Sequence, residues 1–236
     1  SDERGWLARA DRGRLGALAD EKGQALGGKA DGDAEAFTRL PDGGYLVSFE
    51  QRLRLWRYPR PGRRHPSVAT AASPFTGPAE LREAPENGAI EALARLADGR
   101  LLALCEQLQS EGGLMGWVWE KGVWQRLTYV PTPELLPTDA TLLPDGDLLV
   151  VERGYKRETG PRAALRRLSA AEVLPGARLE PRTLAELARP LLVDNSEGLF
   201  ARRGPRGETL VYLMSDDNFS REQRTLLMLL ALPPAR

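Results

Sequence analysis

Hydrophobic and polar positions along this chain repeat one pattern four times: an acid, a short apolar-rich stretch, a turn, a nearly unbroken apolar run and a second acid. The copies run from Glu35 to Glu50, Glu91 to Glu106, Asp139 to Glu152 and Glu197 to Asp216. Their midpoints are Asp42-Gly43, Asp98-Gly99, Asp145-Gly146 and Arg206-Gly207, and Asp-Gly between apolar runs is a strong hairpin signal. Each copy predicts two antiparallel strands whose acids meet at the open end. The second strand is almost continuously apolar, as a strand covered on both faces should be. The first two copies match in length and turn position, the third is shorter, and the fourth is stretched by Gly204-Pro205-Arg206-Gly207-Glu208.

The copies start about 50 residues apart, leaving room for two further strands in each unit. Four-stranded units at this period predict an all-β fold, a β-propeller. Leu53 to Tyr58 alternates, and Gly116 to Trp124 reads as an outer hairpin turning at Lys121-Gly122, its tryptophans packing between blades. Ser169 to Val173 and Thr183 to Ala188 read as one or two helical turns each, with Ser169 and Thr183 as N-caps. Proline-rich Arg60 to Asn87 reads as a long surface insertion. Ser1-Asp2-Glu3-Arg4 repeats the end of a second strand, as in Ser215-Asp216-Asp217-Asn218, and strand-like Gly5 to Ala10 follows it. Arg224 to Leu232 supplies a last strand before Pro233-Pro234. We therefore expect one domain over residues 1–236, with five or six blades, the first incomplete and the chain truncated at its N-terminus.

Composition narrows the function. Thirty-three basic and 33 acidic side chains cancel, which excludes nucleic acid or an anionic membrane held mainly by charge. No apolar run approaches the roughly 20 residues that span a bilayer. Cys105 is the only cysteine, so thiolate clusters are excluded, and its apolar neighbours mark it as a buried hydrophobe. His65, the only histidine, lies in the loop Arg63-Arg64-His65-Pro66. There is no Gly-x-Ser-x-Gly elbow and no phosphate loop, so water activated by a metal or a carboxylate is the nucleophile to expect of a hydrolase here.

Like charges opposite one another on paired strands are destabilising, so the acid pairs require compensation. A propeller brings the starts of its innermost strands to one mouth, which would place Glu35, Glu91, Asp139 and Glu197 in a ring there. Glu50, Glu106, Glu152 and Asp216 would lie just outside. Converging carboxylates suit a hard cation such as calcium, which takes six to eight oxygens, and Asn87, Thr138, Asn195 and Ser196 could complete the shell. Alternatively Arg4, Arg52, Arg153 and Arg221 neutralise the acids as structural ion pairs. In the loop after Glu152, Arg153, Lys156 and Arg157 form the densest positive charge near the rim, suited to phosphate or carboxylate oxygens.

Several segments together resemble the phytase-like family: Pro137-Thr138-Asp139-Ala140, Leu143-Pro144-Asp145-Gly146, Leu149-Val150-Val151-Glu152-Arg153, Asp194-Asn195-Ser196-Glu197-Gly198-Leu199 and Ser215-Asp216-Asp217-Asn218-Phe219. Bacterial members are often described as having esterase-like activity of phytase. Ser196 departs from that pattern, where an apolar residue is usual, as does Leu53, where a basic or histidine side chain often occurs. The resemblance implies an exported propeller, periplasmic or secreted, acting on esters or phosphoesters. On this reading Glu35, Glu91, Asp139 and Glu197 bind calcium, Glu50, Glu106, Glu152 and Asp216 position water, and Arg153, Lys156 and Arg157 meet a small anionic or ester substrate bound by a monomer. The alternative is a non-catalytic propeller whose mouth binds a ligand or partner protein, its acids serving ion pairs or structural calcium.

Overall fold

The computed structural model describes residues 16–60, 70–88 and 90–232. Blade I comprises β1 (Ala34–Arg39), β2 (Tyr45–Phe49), β3 (Arg54–Tyr58) and β4 (Ser73–Phe75). A four-residue helix, α1 (Lys29–Gly32), precedes it. Blade II follows with β5 (Ile90–Arg95), β6 (Leu101–Ser110), β7 (Gly113–Glu120) and β8 (Val123–Tyr129). Blade III begins with β9 (Leu136–Leu142), β10 (Leu148–Lys156) and β11 (Gly160–Leu168). The chain then adds β12 (Arg178–Leu179) to the outer edge of blade II, parallel to β8, before β13 (Arg182–Leu187) completes blade III. Blade IV contains β14 (Ser196–Arg203), β15 (Thr209–Ser215) and β16 (Leu227–Leu232). Inner strands β1, β5, β9 and β14 pack side by side in that order, so the sheets form a β-propeller.

Four blades account for the described residues, and the five or six expected from sequence are not matched. The extra unit was counted from Ser1 to Ala10, which lies outside the described residues, as does His65. Thr183 to Ala188 is not a helical turn: the free edge of β11 offers it a ladder, and tertiary pairing overrides a weak local preference. Arg60 to Asn87 is more than a surface insertion, because Ser73–Phe75 supplies the fourth strand of blade I and a 3-10 turn spans Ala79–Glu83. Among the described residues no helix is long and apolar enough to cross a membrane.

The second strand of each hairpin explains the core. Successive strand residues point to opposite faces. Leu101, Ala103 and Cys105 of β6 pack with Ala36, Leu46 and Leu55 of blade I, while Leu102 and Leu104 pack with Ala140, Leu148 and Val150 of blade III. Leu149 and Val151 of β10 then meet Leu199, Val211 and Leu213 of blade IV. The core is thus a stack of layers between blades, which requires the apolar runs to be continuous. Trp117 is fully buried in the first layer, with Trp119 and Trp124 against it, as packing tryptophans should be.

Polar ties join blade I to II, II to III and III to IV. Ser48 Oγ donates to the Ile90 carbonyl at 2.6 Å, Tyr129 Oη to Glu152 Oε1 at 2.7 Å, and Thr138 Oγ1 to the Ser196 carbonyl at 2.7 Å. All four hairpins turn at a glycine with positive φ, at Gly43, Gly99, Gly146 and Gly207. That conformation is open to glycine at no steric cost.

Candidate functional site

Each inner hairpin loses register near its acid. Ile90 pairs with Cys105 and Ala92 with Leu104, leaving Glu91 as an extra residue. Ser196 pairs with Ser215 and Gly198 with Met214, leaving Glu197. In blade I the shift falls between Ala34 and Phe37, spanning Glu35. A bulge residue leaves the ladder and its side chain is re-aimed, here toward the mouth. In blade III the extra residue is Thr138, because Asp139 pairs with Val151 and Pro137 with Glu152. Counted back from the turn, Thr138 and not Asp139 stands level with Glu35 and Glu91.

The carboxylates of Asp33, Glu35 and Glu50 come together, with one oxygen of each within 4.8 Å of the others. Glu50 N donates to the Asp33 carbonyl at 2.9 Å, which fixes the turn after α1 against the end of β2. Asp33 Oδ2 is buried and accepts no hydrogen bond, and its counterion is the Lys29 ammonium at 3.6 Å. Burial, reinforced by Glu50, Asp33 and Glu197, pushes the Glu35 carboxyl up to about 7, with Lys29 opposing.

Glu91 is only 5% exposed. Burial, and then the charges of Glu35 and Glu106, drive its carboxyl far above the usual range, and a hydrogen bond shared with Glu50 raises it further. Burial also raises Glu197, against the pull of Arg153 and Asn195. Arg153 Nη2 lies 2.9 Å from Glu197 Oε1, and Asn195 Nδ2 donates to the same oxygen at 2.8 Å. Asp139 keeps some exposed surface, yet its carboxyl is enclosed, and burial pushes it up to about 8 although Leu199 N and Ala140 N donate to it. Those two bonds, both 2.7 Å, occupy its two oxygens and tie it to blade IV.

Clustered buried carboxyls cannot all ionise. Burial and mutual repulsion raise Glu35, Glu91, Asp139 and Glu197 together, and the oxygens of the group are hard donors of the kind calcium takes. A family model described as Phytase-like, esterase-like activity of phytase, matches residues 3–219. The chain belongs to this family.

No curated protein matches this phytase-like chain. Among solved structures it is similar to the endo-arabinase from Bacteroides thetaiotaomicron VPI-5482, with TM-score 0.44 and 13% identity over 84% of this chain and 74% of that one. A protein of unknown function from Dyadobacter fermentans gives TM-score 0.46 and 12% identity, over 88% and 67%. An ancestral GH74 enzyme gives 0.40 and 10%, over 87% and 34%.

The phytase-like mouth thus gathers Glu35, Glu50, Glu91, Glu106, Asp139, Glu197 and Arg153. Four other residues expected there lie elsewhere. Glu152 is fully buried, where Tyr129 Oη, Thr132 N and Arg166 Nη1 all donate to it. Asp216 is exposed and accepts from Asn218 N at 3.2 Å. Lys156 pairs with Glu134, and Arg157 is exposed at the tip of the β10–β11 hairpin, because β10 runs past the mouth and carries both outward. Of the other residues proposed for the shell, Asn195 is at the site, whereas the Asn87 side chain accepts from Gln51. Arg52 pairs with Asp31, so of the arginines weighed as neutralisers Arg153 alone meets a mouth acid among the described residues.

Asp33 and Lys29 were not expected at the site. Asp33 precedes the repeat, and only the fold of α1 returns it to Glu50. Arg54 supports that turn: its guanidinium lies 4.0 Å from the Phe49 ring centroid and 4.3 Å from that of Trp56, and it donates to the Asp31 and Arg52 carbonyls.

Proposed function

We propose that this chain is an exported phytase-like hydrolase whose acidic mouth holds calcium or a similar hard cation and cleaves a phosphoester or ester. The observation that carries the reading is the meeting of the Asp33, Glu35 and Glu50 carboxylates, one of which, Asp33, has a buried oxygen that accepts no hydrogen bond. Asp33, Glu35 and Glu50 would hold the ion, with Glu91 beside them as a protonated hydrogen-bond donor. When bound, the cation would polarise the scissile group and lower the pKa of water.

Among the chain's own residues, Glu106 lies within electrostatic reach of both Glu91 and Glu197 and takes a proton from the attacking water. Glu91, protonated through the neutral range, returns one to the leaving oxygen. Arg153 is oriented by Glu197, and its buried Nε has no hydrogen-bond partner among the described residues, leaving donor capacity for a substrate oxygen. Export agrees with a site of few ligands, because weak calcium sites suit the high calcium outside cells.

The test is hydrolysis of 4-nitrophenyl phosphate and 4-nitrophenyl acetate with calcium and with EDTA, by the native chain and Glu35→Gln. Turnover should require calcium and fall on the order of a hundredfold in the variant. A calcium-dependent rise in melting temperature with no turnover above background would reassign the ion to structure.

A further inference from the structure

Glu35 belongs to two features at once. Besides joining the acid cluster, it lines a cavity of about 340 Å3 whose other walls are Leu18, Ala34, Ala36, Phe37, Tyr45 and Val47. The cavity lies on blade I, where Val47 packs with Leu18 and Tyr45 away from the layer shared with blade II. Phe37 and Tyr45 pack against each other in its wall with ring centroids 6.2 Å apart, and Phe37 is 64% exposed.

Apart from Glu35 and the Tyr45 hydroxyl, every described side chain of this wall is apolar, and among the described residues no basic group lines it. Its volume is at the small end of small-molecule sites. A polyphosphorylated substrate would lose hydration of its several charges against these walls, with only the cation proposed at Glu35 to offset the loss. A hydrocarbon arm would gain from burial, and its polar end would lie at Glu35, where the cavity meets the acids.

Resting on the hydrolytic reading above, we infer that the substrate class is a carboxylic ester with an apolar acyl arm, the arm lying in this cavity and the ester group at Glu35. In the reaction the water oxygen bonds to the acyl carbon and the bond from that carbon to the alkoxy oxygen breaks. The alcohol leaves with one proton of the water, and the acid keeps the arm.

The full chain with calcium is tested on 4-nitrophenyl acetate, butyrate and hexanoate beside 4-nitrophenyl phosphate, and its binding of acetamide, butanamide and hexanamide is measured by calorimetry. Both kcat/KM and amide affinity should rise about three- to fourfold per added methylene, with the phosphate ester cleaved more slowly than the hexanoate ester. Phe37→Ser, a change at an exposed position, should flatten both series. Rising amide affinity without any turnover would remove the hydrolytic reading and leave the cavity as an acyl-binding site. A flat amide series, or one that Phe37→Ser leaves unchanged, overturns the assignment whatever the turnover. Self-association abolished by Phe37→Ser, with no dependence on chain length, also overturns it and gives this face to a second copy of the chain.

Discussion

Glu91 on β5 and Glu50 at the end of β2 share a hydrogen bond between their carboxyl groups, linking blades I and II at the mouth. The bond needs a proton, so the mouth is bound to pH. Glu35 rises from 4.5 to about 7 and Asp139 from 3.8 to about 8 on folding. Between the unfolded and folded values the native chain holds protons that the unfolded chain has released. Their contribution is therefore complete below about pH 4 and lost as pH rises through 7 and 8. In EDTA the melting temperature should fall from pH 5 to pH 9, and calcium should restore more of it the higher the pH. A flat or rising profile in EDTA would count against the proton-holding cluster.

Replacing Glu91 by Gln should be nearly free in the metal-free protein at pH 7. Removing the charge of a buried paired carboxylate usually costs about 3–5 kcal/mol, but Glu91 is already neutral and glutamine keeps a donor for Glu50. Chemical denaturation should show a change within about 1 kcal/mol. The same variant should bind calcium more weakly at pH 9, where the native side chain begins to ionise. A loss of several kcal/mol at pH 7 would mean that Glu91 is charged in the native state.

Glu152 predicts the opposite behaviour. Arg166→Met would strand a buried carboxylate and should cost about 3–5 kcal/mol, and Tyr129→Phe about 1–3 kcal/mol. Calcium affinity of the folded fraction should not change in either variant, because this network lies between blades II and III, apart from the mouth. Titration calorimetry of Tyr129→Phe decides the point, and weaker calcium binding would place Glu152 back in the site.

Arg54→Met should weaken calcium binding through a contact with no acid of the mouth. Losing the stack on Phe49 and Trp56 and the bonds to two carbonyls costs about 1–3 kcal/mol and frees the turn that presents Asp33. Arg54→Lys should not rescue it, since an ammonium lacks the planar fork. Unaltered affinity in both variants would show that Asp33 is not among the ligands.

The hairpins could be read in the chain because glycine turns and two-sided apolar strands are local features, and Leu101 to Cys105 carries its inter-blade role in its composition. Glu152 could not be placed in this way. Its position in the repeat matches Glu50, but its surroundings come from Tyr129 and Arg166, and no spacing brings those into view. Asp33 was hidden for a similar reason, since α1 is too short to leave a periodic signal. Aligning the repeats on their acids also put Asp139 level with Glu35 and Glu91, whereas counting back from Asp145-Gly146 reaches Thr138 at the place that Glu35 holds before Asp42-Gly43. Thr183 to Ala188 was misread as a helical turn because a short segment of mixed character takes its conformation from the partner strand.

Those bulges separate two duties that a strand residue usually combines. Glu91 and Glu197 lie outside the pairing that holds their hairpins together, so neither side chain has to satisfy the pleat. Blade III has a threonine at the corresponding place and keeps its hairpin intact. The mouth is therefore a socket whose chemistry can be exchanged one residue at a time while the scaffold stays as it is, which makes these positions the natural starting points for altering what the propeller holds.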